Sequence, residues 1–164
     1  RVFHINWESN FNSDYKLDNK VLGNIDPNEI INFHCIKKEI KNYLCVINSD
    51  GRFKKVLVDE DMMRSNRSFT ITKLKNNIKT IDSFISNEEK DLIILTSLGR
   101  IFKFNLSNKS LAPTSKQSQG LILAKLLPTE KIVSCCTYQN VDSIYLISRY
   151  GKVFCINSLS AITF

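Results

Sequence analysis

The sequence predicts an all-β fold: a propeller-like array of four-stranded antiparallel blades, about three repeats of ~50 residues in an incomplete ring. Three observations carry this expectation. One hairpin recurs as CVINSDGRFKKV, LTSLGRIFKFNL and YLISRYGKVFCI, with Gly51, Gly99 and Gly151 spaced by 48 and 52 residues. The opening RVFHIN repeats the second half of that hairpin, so Arg1, Arg52, Arg100 and Lys152 share one equivalent position. No window carries an i, i+3, i+4, i+7 apolar stripe with helix caps, whereas the runs are rich in β-branched and aromatic residues. A plain sandwich with accidentally similar hairpins is the competing reading.

Four strand-sized runs fill each repeat. RVFHIN, RFKKVLV, RIFKFNL and KVFCIN are first strands. Second strands follow a polar connection, at residues 21–25, 69–74 and 121–127. Turns built on Asp26-Pro27-Asn28, Asn76-Asn77 and Pro128-Thr129 lead into third strands around IINFHCI, IKTIDSFI and KIVSCCTY. Fourth strands YLCVIN, LIILTS and IYLIS are nearly continuous apolar runs, so both of their faces are expected to be covered. The hairpin turn reads as a type I turn closed by a left-handed glycine, because Leu98 and Tyr150 before the glycine resist the positive φ of a type I′ turn. Each glycine is expected to end one four-stranded sheet and begin the next unit. Repeats then run about 1–51, 52–99 and 100–151, with a leftover strand at 152–164, all within one domain spanning 1–164. Such an array does not close a ring of four to eight blades. The chain also opens on Arg inside a half-hairpin, and the expectation is a fragment of a longer protein.

At 164 residues and 43% hydrophobic content the chain can bury a substantial core. It has no apolar run of membrane-spanning length and no signal-peptide pattern, so no membrane association is expected. The five cysteines form no C-x-x-C pair and fall in strand-like runs, which suits reduced core residues. The net charge of +7 is uneven. Residues 1–51 carry six Lys/Arg against seven Asp/Glu, residues 52–125 fourteen against seven, and residues 126–164 three against two. No acid lies between Asp91 and Glu130, an interval holding Arg100, Lys103, Lys109, Lys116 and Lys125. This pattern suits a polyanion-binding surface or, alternatively, a solvated basic face.

Two repeated elements resemble the C-terminal β-pinwheel domain of the DNA gyrase A protein and of its topoisomerase IV counterpart. One is the G-R/K turn, at Gly51-Arg52, Gly99-Arg100 and Gly151-Lys152. The other is similar to the family's basic-x-x-x-Gly element, best kept as KQSQGLILAKLL with Lys116 and Gly120. RSNRSFTITKL has Arg64 at the basic position and Ser68 in place of Gly, while KLDNKVLGNI offers Lys16 and Lys20 without it. The Gln/Arg/Gly-rich box of true gyrase is absent from the sequence.

The resemblance implies sequence-independent binding and wrapping of double-stranded DNA, in support of topology change and supercoiling by a type IIA topoisomerase. It implies a cytoplasmic, nucleoid-associated location in bacteria or in an organelle of bacterial origin, and a parent A2B2 assembly with an ATPase B subunit. The parent would be an ATP-dependent isomerase. This segment itself is expected to be noncatalytic and without a cofactor, ATP and Mg2+ acting in other domains or subunits. The DNA-binding residues expected are Arg52, Lys55, Arg64, Arg67, Arg100, Lys103, Lys116, Lys125 and Lys152. Six such contacts would give a slope of log K against log salt of roughly −5. The alternative is a propeller-like scaffold for an acidic protein partner.

Catalytic and metal motifs find no support. The sequence has no Gly-rich phosphate loop, HExxH or G-x-S-x-G. His34 and Cys35 are adjacent on an expected strand and would face opposite sides, a poor nucleophile–base geometry. His4 and His34 read as packed or half-exposed, and Tyr15, Tyr43, Tyr138, Tyr145 and Tyr150 as packing residues.

Overall fold

The computed structural model describes residues 2–3, 29, 32–36, 41–63, 68–75, 77–86, 90–138 and 143–156. They form eleven strands, with a one-turn 3-10 helix at Lys109–Leu111. All sheets are antiparallel. The strands are β1 (Val2–Phe3), β2 (Tyr43–Asn48), β3 (Arg52–Leu57), β4 (Ser68–Phe69), β5 (Thr80–Ser86), β6 (Asp91–Thr96), β7 (Ile101–Asn105), β8 (Leu121–Ile122), β9 (Ile132–Tyr138), β10 (Ile144–Ile147) and β11 (Val153–Ile156). No helix among the described residues is long and apolar enough to cross a membrane.

The hairpin turns have the expected chemistry. Gly51 N–H donates to Asn48 O at 3.1 Å, Gly99 N–H to Thr96 O at 3.0 Å and Gly151 N–H to Ser148 O at 3.0 Å. These glycines have φ of 85°, 77° and 75°, and among the described non-glycine residues only Asn77 has positive φ. Asp50, Leu98 and Tyr150 therefore keep ordinary backbone geometry, which rules out the type I′ turn and leaves a type I turn with a left-handed glycine.

The sheets are out of phase with the sequence repeat. The order β5-β2-β3-β8 makes one complete four-stranded sheet, β7-β6-β9 a three-stranded one, and β1-β4 and β10-β11 two pairs. Each glycine turn lies inside a sheet, which corrects the expectation that it separates two of them. A three-residue reversal forces the strands it joins to bond to each other, so a fourth strand and the following first strand cannot part company. The third strand of the following repeat then adds to the fourth, as β5 does to β2 and β9 to β6, and the second strand of the repeat after that adds to the first: Phe53 faces Leu121 and Arg52 faces Ile122. Second strands are also shorter than expected, two residues each at β4 and β8. Residues 32–36 are not in a strand, and the second strand expected at 21–25 lies outside the described residues.

The core sits between sheets. On β2, Tyr43, Cys45 and Ile47 face one side and join Phe53, Leu92, Ile94, Leu106, Leu111 and Ile132 in one cluster. Leu44 and Val46 face the other side and join Val56, Met62 and Ile71. β6 repeats the plan, with Leu92 and Ile94 in the first cluster and Ile93 packed on Tyr138 and Ile144. Both faces of β2 and β6 are covered, as their unbroken apolar runs require; β10, expected to be covered likewise, is not, since Tyr145 and Ile147 stand exposed on a two-stranded pair.

Where a sheet lacks described neighbours the side chains emerge. Tyr145 and Tyr150 are exposed, as are Cys136 and Cys155, whereas Tyr43, Tyr138 and Cys45 are buried. Tyr145 and Cys155 stand on the two-stranded pair and Cys136 on an edge strand, which corrects their reading as core residues. Cys35 is exposed too, outside any strand.

Candidate nucleic-acid interface

Strand β3 carries three basic residues into three different environments. Arg52 begins the strand at the turn and pairs with Asp50, Nε to Oδ2 at 3.3 Å. Lys54 is buried, and its Nζ donates to three main-chain carbonyls: Ile71 O, Lys116 O at 2.7 Å and Ser118 O at 2.6 Å. Burial lowers its pKa. Lys55, one residue on and on the opposite face of the sheet, is also buried; its Nζ donates to Leu106 O at 3.0 Å and sits 4.7 Å from the centre of the Tyr43 ring. A phosphate cannot reach Lys55 there, which removes it from the expected contact set. The reason is the connection 106–120, which crosses β3 and offers carbonyl oxygens to both lysines.

That connection carries Lys116. Its Nζ meets Asp59 at 2.8 Å to Oδ2 and 2.9 Å to Oδ1, and lies 5.1 Å from the Phe69 ring centre. The ion pair holds the Asp59 carboxyl below the usual carboxylate range. Gly120 ends the element with φ of 79°, and a Cβ at this position would come within 2.5 Å of Phe53 O. The basic-x-x-x-Gly pattern thus has a steric cause: only glycine lets the loop close onto β3 above Lys54.

Arg100 is held differently. Its Nε donates to Glu130 Oε1 at 2.9 Å, and its Nη2 donates to Glu130 Oε2 and to Lys125 O at 3.2 Å. The guanidinium also stacks over Phe102, 4.9 Å from the ring centre. Glu130 is buried and accepts a further bond from Leu127 N–H at 2.9 Å. The forked bond from Arg100 brings its carboxyl down to about 2 and raises the Arg100 pKa in turn. Lys103 pairs with Asp91 at 2.9 Å and approaches Tyr138.

Arg52, Arg100, Lys103 and Lys116 are therefore each compensated by a carboxylate. The stretch that is acid-free in sequence is not acid-free in space, since Asp59, Asp91 and Glu130 close on it. Lys125 and Lys152 are exposed and enter no ion pair among the described residues. Arg64 and Arg67 lie outside the described residues, as do Arg1, Lys16, Lys20, His4 and Tyr15. The structure joins Arg100 to Lys125, and Lys116 to the main-chain cage of Lys54; it brings Lys103 and Lys152 to neither.

Sequence reasoning passed over Lys54, Lys73, Lys75 and Glu130. A pattern was available: Lys73 and Lys125 occupy the same place before the third strand of successive repeats. His34 is half-buried against Ser83 Oγ at 2.9 Å, and Asp82 beside it accepts from Asn32 at 2.8 Å and from the Cys135 thiol at 3.6 Å. Burial lowers the His34 pKa and raises that of Cys135. A protonated thiol held against a carboxylate is a packed polar contact, without the geometry of a nucleophile. No group of three metal-ligating side chains occurs among the described residues.

Against this geometry, residues 90–135 match the family model described as the DNA gyrase C-terminal domain, beta-propeller. Among solved structures the chain is similar to the C-terminal domain of DNA topoisomerase IV, with a TM-score of 0.64 and 20% identity over 74% of this chain. It is likewise similar to the DNA gyrase A C-terminal domain, with a TM-score of 0.60 and 18% identity over 71% of this chain. In both cases the chain spans 38% of the length of the solved domain. No curated protein sequence matches. The gyrase family pattern thus falls on the segment from Lys90 to Cys135, and the fold is the propeller-like one of the gyrase A and topoisomerase IV C-terminal domains, with its ring unclosed.

Proposed function

We propose that the chain is part of a DNA-wrapping domain of a type IIA topoisomerase of the gyrase A kind, binding duplex DNA without reading its sequence. The observation that carries this reading is the gyrase C-terminal match over residues 90–135, the stretch that holds the loop of Lys116 and Lys125, which enters no ion pair among the described residues. Cations on a curved rim neutralise phosphates and release counterions, which favours binding whatever the bases. Bending the duplex opposes this by about 1–6 kcal/mol for a 20–30 bp site, so several contacts must act together. On this reading the parent is the gyrase A-like component of an ATP-dependent isomerase, in an A2B2 assembly with an ATPase B subunit, in the bacterial cytoplasm or an organelle of bacterial origin. ATP and Mg2+ would act in other parts of that assembly.

Filter binding of random-sequence duplex across a salt series tests it. Cations already matched by a carboxylate add little to the slope. Lys73, Lys75, Lys125 and Lys152, which are exposed and unpaired among the described residues, give about −0.9 each, or roughly −4 together. A slope near zero, or retention of an acidic protein in place of duplex, would replace the reading with the scaffold alternative.

A further inference from the structure

Two connections that the repeat makes equivalent differ at one telling position. Ser49 N–H donates to Lys79 O and Ser97 N–H to Lys131 O, both at 2.8 Å. The serine hydroxyls accept in return from Lys79 N–H and Lys131 N–H, both at 3.1 Å. One residue earlier, Ile78 N–H donates to Lys75 O at 3.1 Å and Glu130 N–H to Leu127 O at 3.0 Å. Ile78 therefore stands where Glu130 stands, as Lys75 does for Leu127, Lys73 for Lys125 and Arg52 for Arg100.

In the third repeat the Glu130 carboxylate occupies the space beside the arginine and takes up its fork. In the second repeat that carboxylate is absent. Between the hairpin turn and the 72–78 connection lies instead a cavity of about 130 Å3, lined by Arg52, Lys73, Lys75, Asp50, Ile78 and Gln119 among others. Water takes about 30 Å3 of liquid volume per molecule, so the cavity has room for a small tetrahedral anion. Three cations face it against the single carboxylate of Asp50. Lys73 and Lys75 are exposed and enter no ion pair among the described residues. Asp50 takes the Arg52 main-chain N–H on Oδ1 at 3.3 Å and meets the guanidinium through Nε, at 3.3 Å to Oδ2, and a guanidinium carries five N–H donors in a fork suited to oxyanions.

The geometry points to an oxyanion pocket at Arg52, in which a phosphate group takes the place that the Glu130 carboxylate fills one repeat later. The phosphate is either a free one or a phosphodiester of a nucleic-acid backbone. Arg52 grips it, Lys73 and Lys75 neutralise it, and Asp50 yields part of its hold on Arg52. The pocket stands on the comparison of two repeats and does not require that duplex be wrapped.

The test is a titration of the isotope-labelled chain with inorganic phosphate and, separately, with a short random-sequence duplex, read at individual backbone amides. Phosphate should move the amides of Gly51, Arg52 and Asn77 to saturation and leave those of Gly99, Arg100 and Thr129 in place. Ile78→Glu, which imports the carboxylate of the third repeat, should weaken phosphate binding about tenfold or more, and the surface change Lys73→Gln should weaken it in the same direction. Duplex that moves the same amides and competes with phosphate identifies the ligand as a backbone phosphodiester. Phosphate that binds there while duplex leaves the pocket unmoved identifies a free phosphate species, and the pocket survives even if the wrapping reading fails. The proposal is overturned if phosphate leaves Gly51 and Asn77 unshifted, if it shifts all lysine-bearing segments alike, or if Ile78→Glu and Lys73→Gln both bind phosphate as the parent does.

Discussion

Lys55 and Lys103 stand at the same point of successive hairpins, opposite Cys45 and Ile93 on the neighbouring strand, and have opposite fates. Lys55 is buried with its ammonium on a carbonyl oxygen, whereas Lys103 is a third exposed and paired with Asp91. The strand sequences do not account for this. The difference is made by what lies outside the hairpin: β3 has β8 along its edge and the 106–120 connection across it, while β7 has no described strand on its outer side. A basic residue in a repeat is a surface charge only where the next repeat leaves it uncovered.

Stability measurements can break that comparison. Lys54→Met strips three buried carbonyls of one charged donor, and as removing one partner of a buried charged interaction costs about 3–5 kcal/mol, a loss of that size is expected in urea unfolding. Lys55→Met removes one such bond and should lose about 1.5–3 kcal/mol. Lys103→Met removes a partly exposed ion pair and should lose at most about 1 kcal/mol. Equal midpoints for the three variants would show that the neighbouring repeat does not set the environment.

The two arginines sharpen the contrast through pH. Glu130 titrates at about 2 in the folded chain against an ordinary value of 4.5, chiefly because Arg100 grips its charged form. Its folded pKa is depressed, so between those values the unfolded state binds more protons. The stability it contributes is complete above about 4.5 and is lost as pH falls toward 2. Glu130→Gln should flatten that acid limb in thermal melts, and Arg100→Gln should flatten it too. A limb that persists in both variants would assign the acid sensitivity elsewhere.

Much of the fold is legible in the sequence because it is local. A glycine after Leu98 or Tyr150 dictates the turn, and an unbroken run such as LIILT dictates a strand covered on both faces. Strand exchange between repeats is not legible, because nothing in the sequence near Leu121 says that its partner is Phe53. The candidate interface is legible as an inventory of cations and not as an arrangement. Asp59 lies far from Lys116 in sequence and within 2.8 Å of it in space, and Lys54 resembles any exposed lysine of a strand until the carbonyls above it are seen. Gly120 stands out only by resemblance, and its reason, the close approach to Phe53 O, is purely tertiary.

The smallest expected effect isolates that tertiary compensation at Lys116. The Asp59 carboxylate is half-exposed and holds the Lys116 ammonium through both oxygens. A surface pair of this kind contributes little to stability, so Asp59→Asn should shift the unfolding midpoint by at most the equivalent of about 1 kcal/mol. Its effect on duplex should be larger than its effect on the fold. A phosphate that approaches Lys116 in the parent must compete with Asp59, and the bound pair adds almost no net charge to the rim. With Asp59 neutralised, Lys116 becomes one more cation available to the backbone, and the slope of log K against log salt should steepen by about 0.9. The double variant Asp59→Asn, Lys116→Gln should return the slope to that of the parent. If Asp59→Asn alone leaves the slope unchanged, Lys116 does not face the duplex, and the rim must be sought among Lys73, Lys75, Lys125 and Lys152.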